Sequence, residues 1–126
     1  MKKGKWFLAM GLFLAAAIGL PRVSLANKAS VTIEAPKTAA PGTEITIKVH
    51  VSHNGNNAVH HVEWVYVSIN GKELERWEFS ALNLPEDGNF IREVKYKVVG
   101  PVTIEAKANC NLHGSAGPAD LTVKPK

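Results

Sequence analysis

The stretch that decides the fold is Glu44–Ser52, which reads EITIKVHVS. Every second residue is isoleucine or valine, and the positions between them are mostly polar. Because successive side chains of a β-strand point to opposite faces of a sheet, this alternation predicts a strand with one buried face. No segment after residue 27 shows a helical repeat of useful length, so this part of the chain is predicted to be all-β.

Six further segments have strand-like composition and are separated by turn residues: Ser30–Glu34, His60–Ile69, Lys72–Phe79, Ile91–Val99, Val102–Ala108 and Ala119–Lys124. Asn70-Gly71 predicts a tight hairpin, because a type I′ turn needs positive φ at both of its central positions. About seven short strands with turn signals at this spacing are typical of an immunoglobulin-like β-sandwich. We predict that fold for residues 27–126.

The segment His60–Ile69 carries apolar side chains on both faces, which predicts a strand in the interior of a sheet. Simple alternation places Val62 on the same face as Trp64 and Tyr66. It also places the side chains of His60 and His61 on opposite faces unless the strand begins later or bulges.

Charge is unevenly distributed along the 126 residues. Fifteen lysines and arginines against eleven acidic residues give a net charge of +4. Four of the basic residues precede residue 27, where no acidic residue occurs: Lys2, Lys3, Lys5 and Arg22. Residues 27–126 therefore carry eleven charges of each sign, and this balance gives no reason to expect a nucleic-acid partner.

Residues 1–26 have the pattern of an export signal. Lysines precede an uncharged apolar run of 15 residues, Trp6–Leu20, and Ser24 and Ala26 place small residues before a cleavage point. The run is shorter than the roughly 20 residues that a bilayer-spanning helix needs. We therefore predict a signal peptide over 1–26, an exported periplasmic domain over 27–126, and membrane contact only through an uncleaved first segment.

Histidine and cysteine are placed unusually. Cys110 is the only cysteine, so the chain cannot form an intramolecular disulfide. Of five histidines, four fall within twelve residues and the fifth lies three residues after Cys110: His50, His53, His60, His61 and His113. If the loops share one end of the sandwich, imidazoles and a thiolate converge. Imidazole suits iron, copper, zinc and nickel, and a thiolate narrows the choice to the softer of these metals. The simpler alternative is a buried thiol with incidental histidines, and a solvated surface position explains His50 well.

Other chemistries have weaker support. A Cys–His hydrolase would use Cys110 and His113, but a three-residue spacing in a glycine-rich loop favours chelation. A copper electron carrier is also a sandwich with a Cys-x-x-His pair, yet blue-copper sites usually add an axial methionine. Both methionines, Met1 and Met10, lie in the predicted signal peptide.

Three elements together resemble the iron-binding domain of desulfoferrodoxin and neelaredoxin, the superoxide reductases. They are Ser52-His53, His60-His61-Val62-Glu63-Trp64 with Asn70-Gly71-Lys72, and Cys110-Asn111-Leu112-His113-Gly114. The resemblance covers roughly residues 44–123. It implies an immunoglobulin-like sandwich that holds one mononuclear iron with equatorial imidazoles, an axial thiolate and a sixth position open to superoxide.

Carried over residue by residue, the resemblance implies four metal ligands, with His61 as a further candidate: His53, His60, His113 and the axial thiolate of Cys110. The family's remaining histidine usually lies upstream in a Glu-Lys-His segment, which this chain lacks. Either His61 or His50 fills that position, or the site has three imidazoles. Lys37 is the candidate for the family's lysine that attracts superoxide.

The resemblance thus implies an exported iron enzyme that reduces superoxide to hydrogen peroxide with electrons from an unidentified donor protein. Two alternatives remain: a family member that binds metal without this reaction, and a cupredoxin-like electron carrier. A homo-oligomer is left open.

Overall fold

A computed structural model describes residues 27–126, so the predicted signal peptide lies outside the described residues. Over this range the chain forms eight β-strands and no helix, and therefore no helix that could span a membrane. The strands are β1 Ser30–Glu34, β2 Thr38–Ala39, β3 Glu44–Ser52, β4 Val62–Ile69, β5 Lys72–Glu78, β6 Asn89–Lys97, β7 Val102–Cys110 and β8 Ala119–Pro125.

The strands form two sheets. One has three strands in the order β1-β3-β6, and the other has five in the order β2-β8-β7-β4-β5. All pairs are antiparallel except the parallel pair β2–β8. The inward faces of both sheets share one core, whose largest fully buried members are aliphatic: Ile47, Ile104, Val49, Val62, Val65, Val67, Val98, Val102 and Val123. The predicted all-β, immunoglobulin-like sandwich is confirmed, with eight strands in place of about seven.

β3 confirms the alternation of its sequence. Ile45, Ile47, Val49 and Val51 are buried, and the residues between them are half-buried. β3 pairs with β6 along its whole length and with β1 over residues 48–52, so its last five residues are held on both sides. The strand therefore ends in a fixed position, directly before His53.

β4 begins at Val62, two residues later than predicted, and lies between β5 and β7 in the interior of its sheet, as expected. Its register with β7 shifts between Val62 and Trp64. This β-bulge turns Val62 into the core, while Trp64 stacks on Tyr66 on the outer face. The prediction that Val62 shares a face with Trp64 and Tyr66 is therefore wrong, although the two aromatic residues do lie on one face.

The hairpin between β4 and β5 is confirmed. Asn70 and Gly71 have φ angles of 50° and 84°, the positive values that a type I′ turn requires. The turn is also tied to the strand on its other side, because the Asn70 side-chain oxygen accepts a hydrogen bond from the Thr103 amide at 2.8 Å. This end of the sandwich lies opposite the end that carries the histidine-rich loop.

Candidate metal centre

Three chain segments meet at one end of the sandwich. His53 follows the last residue of β3, His60 lies just before β4, and Cys110 is the last residue of β7. Val62 at the start of β4 is paired with Cys110, which brings the second and third segments together. The candidate ligand atoms of His53, His60 and Cys110 all lie within 4.8 Å of one another.

A tight turn after β7 adds His113 to this group. Cys110 and Gly114 exchange two backbone hydrogen bonds of 2.8 and 3.0 Å, and Gly114 has a φ of 79° that favours glycine. The turn folds His113 back, so that its Nδ1 lies 3.8 Å from Cys110 Sγ and 3.2 Å from His60 Nε2. We call His53, His60, Cys110 and His113 the His–Cys cluster.

His53 is the most buried imidazole of the cluster, with 7% of its surface exposed. Burial lowers the pKa of His53 below 6.5, against an opposing effect of the hydrogen bond to Asn56, and the ring is therefore neutral at pH 7. Its Nε2 is buried and has no hydrogen-bond partner among residues 27–126. Because buried polar atoms are rarely left unpaired in proteins, this nitrogen is suited to a ligand that the chain itself does not supply.

The spacing of the cluster fits a metal ion. Two donors bonded to one ion at the ~2.0–2.3 Å typical of imidazole and thiolate ligands lie roughly 3–4.5 Å apart. The separations of 3.2 and 3.8 Å that involve His113 fall in this range. Imidazole with thiolate is a donor set that iron, copper and zinc accept. The described residues therefore fit a metal site formed by His53, His60 and Cys110, with His113 close to two of these three.

Asparagine side chains fix the loop that carries His60. Asn57 Oδ1 accepts hydrogen bonds from the amides of Val59 and His60 at 3.0 and 2.9 Å. Asn111 Oδ1 accepts from the His61 amide, and its Nδ2 donates to the Val59 carbonyl, both at 3.0 Å. These asparagines were not among the candidate site residues, although asparagine is typical of loops in which side chains replace backbone partners.

The other two histidines lie outside the cluster. His61 is buried, and its Nδ1 donates to the Asn57 carbonyl at 3.0 Å, so this ring closes the loop on itself. His50 lies on the outer face of β3, where its Nε2 is 2.8 Å from Glu34 Oε1. The structure brings neither residue to the position of a fourth imidazole.

Lys37 lies at the far end of the molecule. It directly precedes β2, and β2 pairs with the end of β8 at Lys124. The same end of β8 pairs with Val102, where β7 begins. Cys110 ends β7 after nine residues, a distance of about 26 Å along a strand. The structure therefore does not bring Lys37 to the cluster.

A different lysine lies at the cluster's end of the sandwich. Lys28 is half-buried and precedes Ala29, whose amide donates to the Gly114 carbonyl at 3.3 Å, next to His113. The Asn27 backbone on its other side raises the pKa of His53, which places it near that ring. Sequence analysis did not select Lys28, since its position depends on the pairing of β1 with the end of β3.

Comparison with protein families decides the relationship. The sequence model of the desulfoferrodoxin family matches residues 23–115 of the chain. The chain belongs to the desulfoferrodoxin family. No curated protein sequence matches it.

Solved structures share the fold of this desulfoferrodoxin-family chain. A superoxide reductase (neelaredoxin) from Ignicoccus hospitalis is 23% identical with a TM-score of 0.68, and the match covers 85% of this chain and 89% of that one. A superoxide reductase in its oxidised state is 20% identical with a TM-score of 0.54, covering 79% and 90%. A CARDB domain from Pyrococcus furiosus, in complex with di-metal ions, is 19% identical with a TM-score of 0.62, covering 86% and 97%. The sandwich is thus common to superoxide reductases and to other domains.

Proposed function

We propose that this chain is an exported, mononuclear non-haem iron protein that reduces superoxide to hydrogen peroxide. The convergence of the His–Cys cluster around the unpartnered Nε2 of His53 carries this proposal. Membership of the desulfoferrodoxin family favours iron over the other metals that the same donors accept.

Iron bound at the cluster would supply one-electron reduction and a coordination position open to the substrate. The overall reaction joins one superoxide, one electron and two protons to give one hydrogen peroxide, and a donor protein must then return the electron. Cys110 contributes an electron-rich thiolate, which favours donation to an oxygen substrate in other iron–thiolate sites. The lowered pKa of His53 keeps that ring neutral, so its lone pair is available as a ligand at pH 7.

The exposed side of the cluster suits both reactants. His113 is exposed and His60 is half-buried, so a small anion can reach them directly. Two apolar side chains beside them are also solvent-exposed: Val59 at 73% and Leu112 at 57%. Transient redox partners use small contact areas with an apolar centre, and these two side chains support such a contact next to the cluster.

A second candidate function is metal binding without superoxide reduction. The described residues bring three imidazoles to the cluster, one fewer than the resemblance implies, and Lys37 lies far from it. A family member with this donor set could hold a metal for another purpose.

Metal analysis and superoxide kinetics on the full chain test the proposal. We expect about one iron per chain after anaerobic addition of Fe(II), with a ferric-thiolate absorption band, and rapid loss of pulsed superoxide with formation of peroxide. Cys110→Ser and His60→Ala should lose iron and activity. His50→Ala is the matched control, since His50 lies on the outer face of β3. A wild-type chain that holds no iron would refute the proposed superoxide reductase function. A chain that holds iron without consuming superoxide would support metal binding without superoxide reduction.

Export rests on the sequence of residues 1–26, with its lysines, apolar run and small residues before Asn27. We expect the protein in the periplasmic fraction of a bacterial host, with a mature amino terminus at Asn27. Replacing Lys2, Lys3 and Lys5 by glutamine should retain the precursor in the cytoplasm. Equal export of this variant would contradict the assignment.

A further inference from the structure

We propose that Asn56 is a positioning residue that fixes the tautomer of His53 and presents its Nε2 to the bound metal. This inference rests on the proposed metal site. Asn56 is half-buried in the loop between β3 and β4, and its side-chain amide contacts three segments. Its Oδ1 lies 2.7 Å from the Val62 amide nitrogen and 3.3 Å from His53 Nδ1, and its Nδ2 lies 2.7 Å from the Asp87 carbonyl.

Two of these contacts determine the orientation of the amide. The Val62 backbone nitrogen can only donate, so the side-chain atom that it meets must be the oxygen. The Asp87 carbonyl can only accept, so the atom on the other side must be the nitrogen. Because the two constraints agree, the amide of Asn56 has one orientation.

The tautomer of His53 follows from that orientation. Facing an oxygen at 3.3 Å, Nδ1 of the neutral ring carries the hydrogen and donates it. The Gly55 and Asn27 backbones also act on this ring, but neither makes a hydrogen bond with Nε2. The proton is therefore absent from Nε2, the buried atom that has no hydrogen-bond partner. An unprotonated imidazole nitrogen is the form that binds a metal.

Asn56 also sets the distance between parts of the cluster. His53 follows β3 in the three-stranded sheet, whereas Val62 begins β4 in the five-stranded sheet, two residues after His60. The side-chain amide of Asn56 joins the ring of His53 to the backbone of Val62. Residues that hydrogen-bond to ligating histidines commonly control both ring orientation and metal affinity.

The first test needs no metal. In the full chain with chelator, long-range proton–nitrogen NMR correlations should show His53 protonated on Nδ1 at neutral pH. Asn56→Ala should shift the population towards protonation of Nε2. A wild-type ring protonated mainly on Nε2 would overturn the inference, whether or not the protein binds metal.

The second test measures metal affinity with Co(II), whose absorption reports thiolate coordination directly. Asn56→Ala should weaken binding by about 10–100-fold, the usual effect of removing such a partner. Asn56→Asp keeps an oxygen for both hydrogens but sets its second carboxylate oxygen against the Asp87 carbonyl, so it should restore part of the affinity that Asn56→Ala loses. It should also lower the reduction potential of the iron form, because a carboxylate makes the imidazole more basic.

Asn83→Ala is the matched control. Asn83 lies in the loop between β5 and β6, and its side chain donates a hydrogen bond to the Glu78 carbonyl at 3.4 Å, away from the His–Cys cluster. We expect this variant to keep the wild-type Co(II) affinity. Equal weakening in Asn83→Ala and Asn56→Ala, or no recovery in Asn56→Asp, would reduce Asn56 to a structural residue. Failure of the iron form to consume superoxide would refute the proposed reaction and leave these results unaffected.

Discussion

Replacing His53 by leucine should not destabilise the metal-free protein, although only 7% of the His53 surface is exposed. The reason is the unpartnered Nε2, which burial separates from water without supplying a hydrogen bond. Leucine has a similar volume and carries no polar atom, so the variant removes this cost. Its own cost is the loss of the 3.3 Å hydrogen bond from Nδ1 to Asn56.

These two effects can be compared. Leaving a buried polar group unpaired costs about 1–3 kcal/mol, whereas a typical hydrogen bond contributes about 0.5–1.5 kcal/mol. Asn56 Oδ1 retains the Val62 amide as a partner, so it is not left unsatisfied in the variant. We therefore expect the free energy of unfolding of the metal-free protein to stay the same or to increase by up to about 2 kcal/mol.

With bound metal, the wild-type protein should become more stable than His53→Leu. A ligand at 100 times its dissociation constant stabilises the folded state by about 2.7 kcal/mol, and only the wild-type chain retains the complete cluster. Urea unfolding of both proteins, with chelator and with Co(II), measures the two differences. A metal-free His53→Leu variant that is less stable than wild type by about 2 kcal/mol or more would show that His53 is a core residue, and the reasoning would be refuted.

Three further outcomes follow from the same structure. The lowered pKa of His53 means that the unfolded chain binds this proton first, so the metal-free protein should lose stability as the pH falls below 6.5, and less steeply in His53→Leu. Burial, followed by the hydrogen bond to Glu105, raises the pKa of Tyr66 to about 12; phenolate absorbance should show this step, and Glu105→Gln should lower it. A Cβ at Gly88 would lie 2.8 Å from the His53 carbonyl and 3.1 Å from the Gly55 amide nitrogen, so Gly88→Ala should weaken Co(II) binding, whereas Gly100→Ala, with open space around it, should not. Unchanged affinity in Gly88→Ala would show that the loop moves without disturbing His53.

Local sequence predicts the fold where one face of a strand is buried and its partners are regular. β3 meets both conditions, and its bounds agree with the prediction. β2 has only two residues, in a segment between prolines, and exists because β8 supplies a parallel partner more than 80 residues later in the chain. No local pattern encodes such a pairing. The bulge at the start of β4 could be named as an alternative but not predicted, since it depends on the register with β7.

For the site, the residue types indicated the donor set, and the choice of His53, His60, Cys110 and His113 came from the family resemblance. Imidazoles and a thiolate could be selected from the sequence because few side chains bind transition metals. Which histidines converge depends on the ends of β3 and β7, and Lys28 reaches this end only through the pairing of Ser30 with Ser52. Asn56 gave no local signal, because its role consists of contacts with His53, Val62 and Asp87 in three separate segments.

The cluster joins the two layers of the sandwich. His53 extends the three-stranded sheet and Cys110 ends a strand of the five-stranded sheet, so an ion bound to both would tie the sheets together at this end. Elsewhere in the described domain the sheets are held largely by aliphatic packing, which is non-directional. Within the cluster, by contrast, the described part of the chain leaves the buried Nε2 of His53 without a hydrogen-bond partner. The unpaired nitrogen lowers the stability of the metal-free fold at a place where a bound metal would both satisfy that atom and connect the two sheets. This pattern is expected when a protein gives up stability for binding.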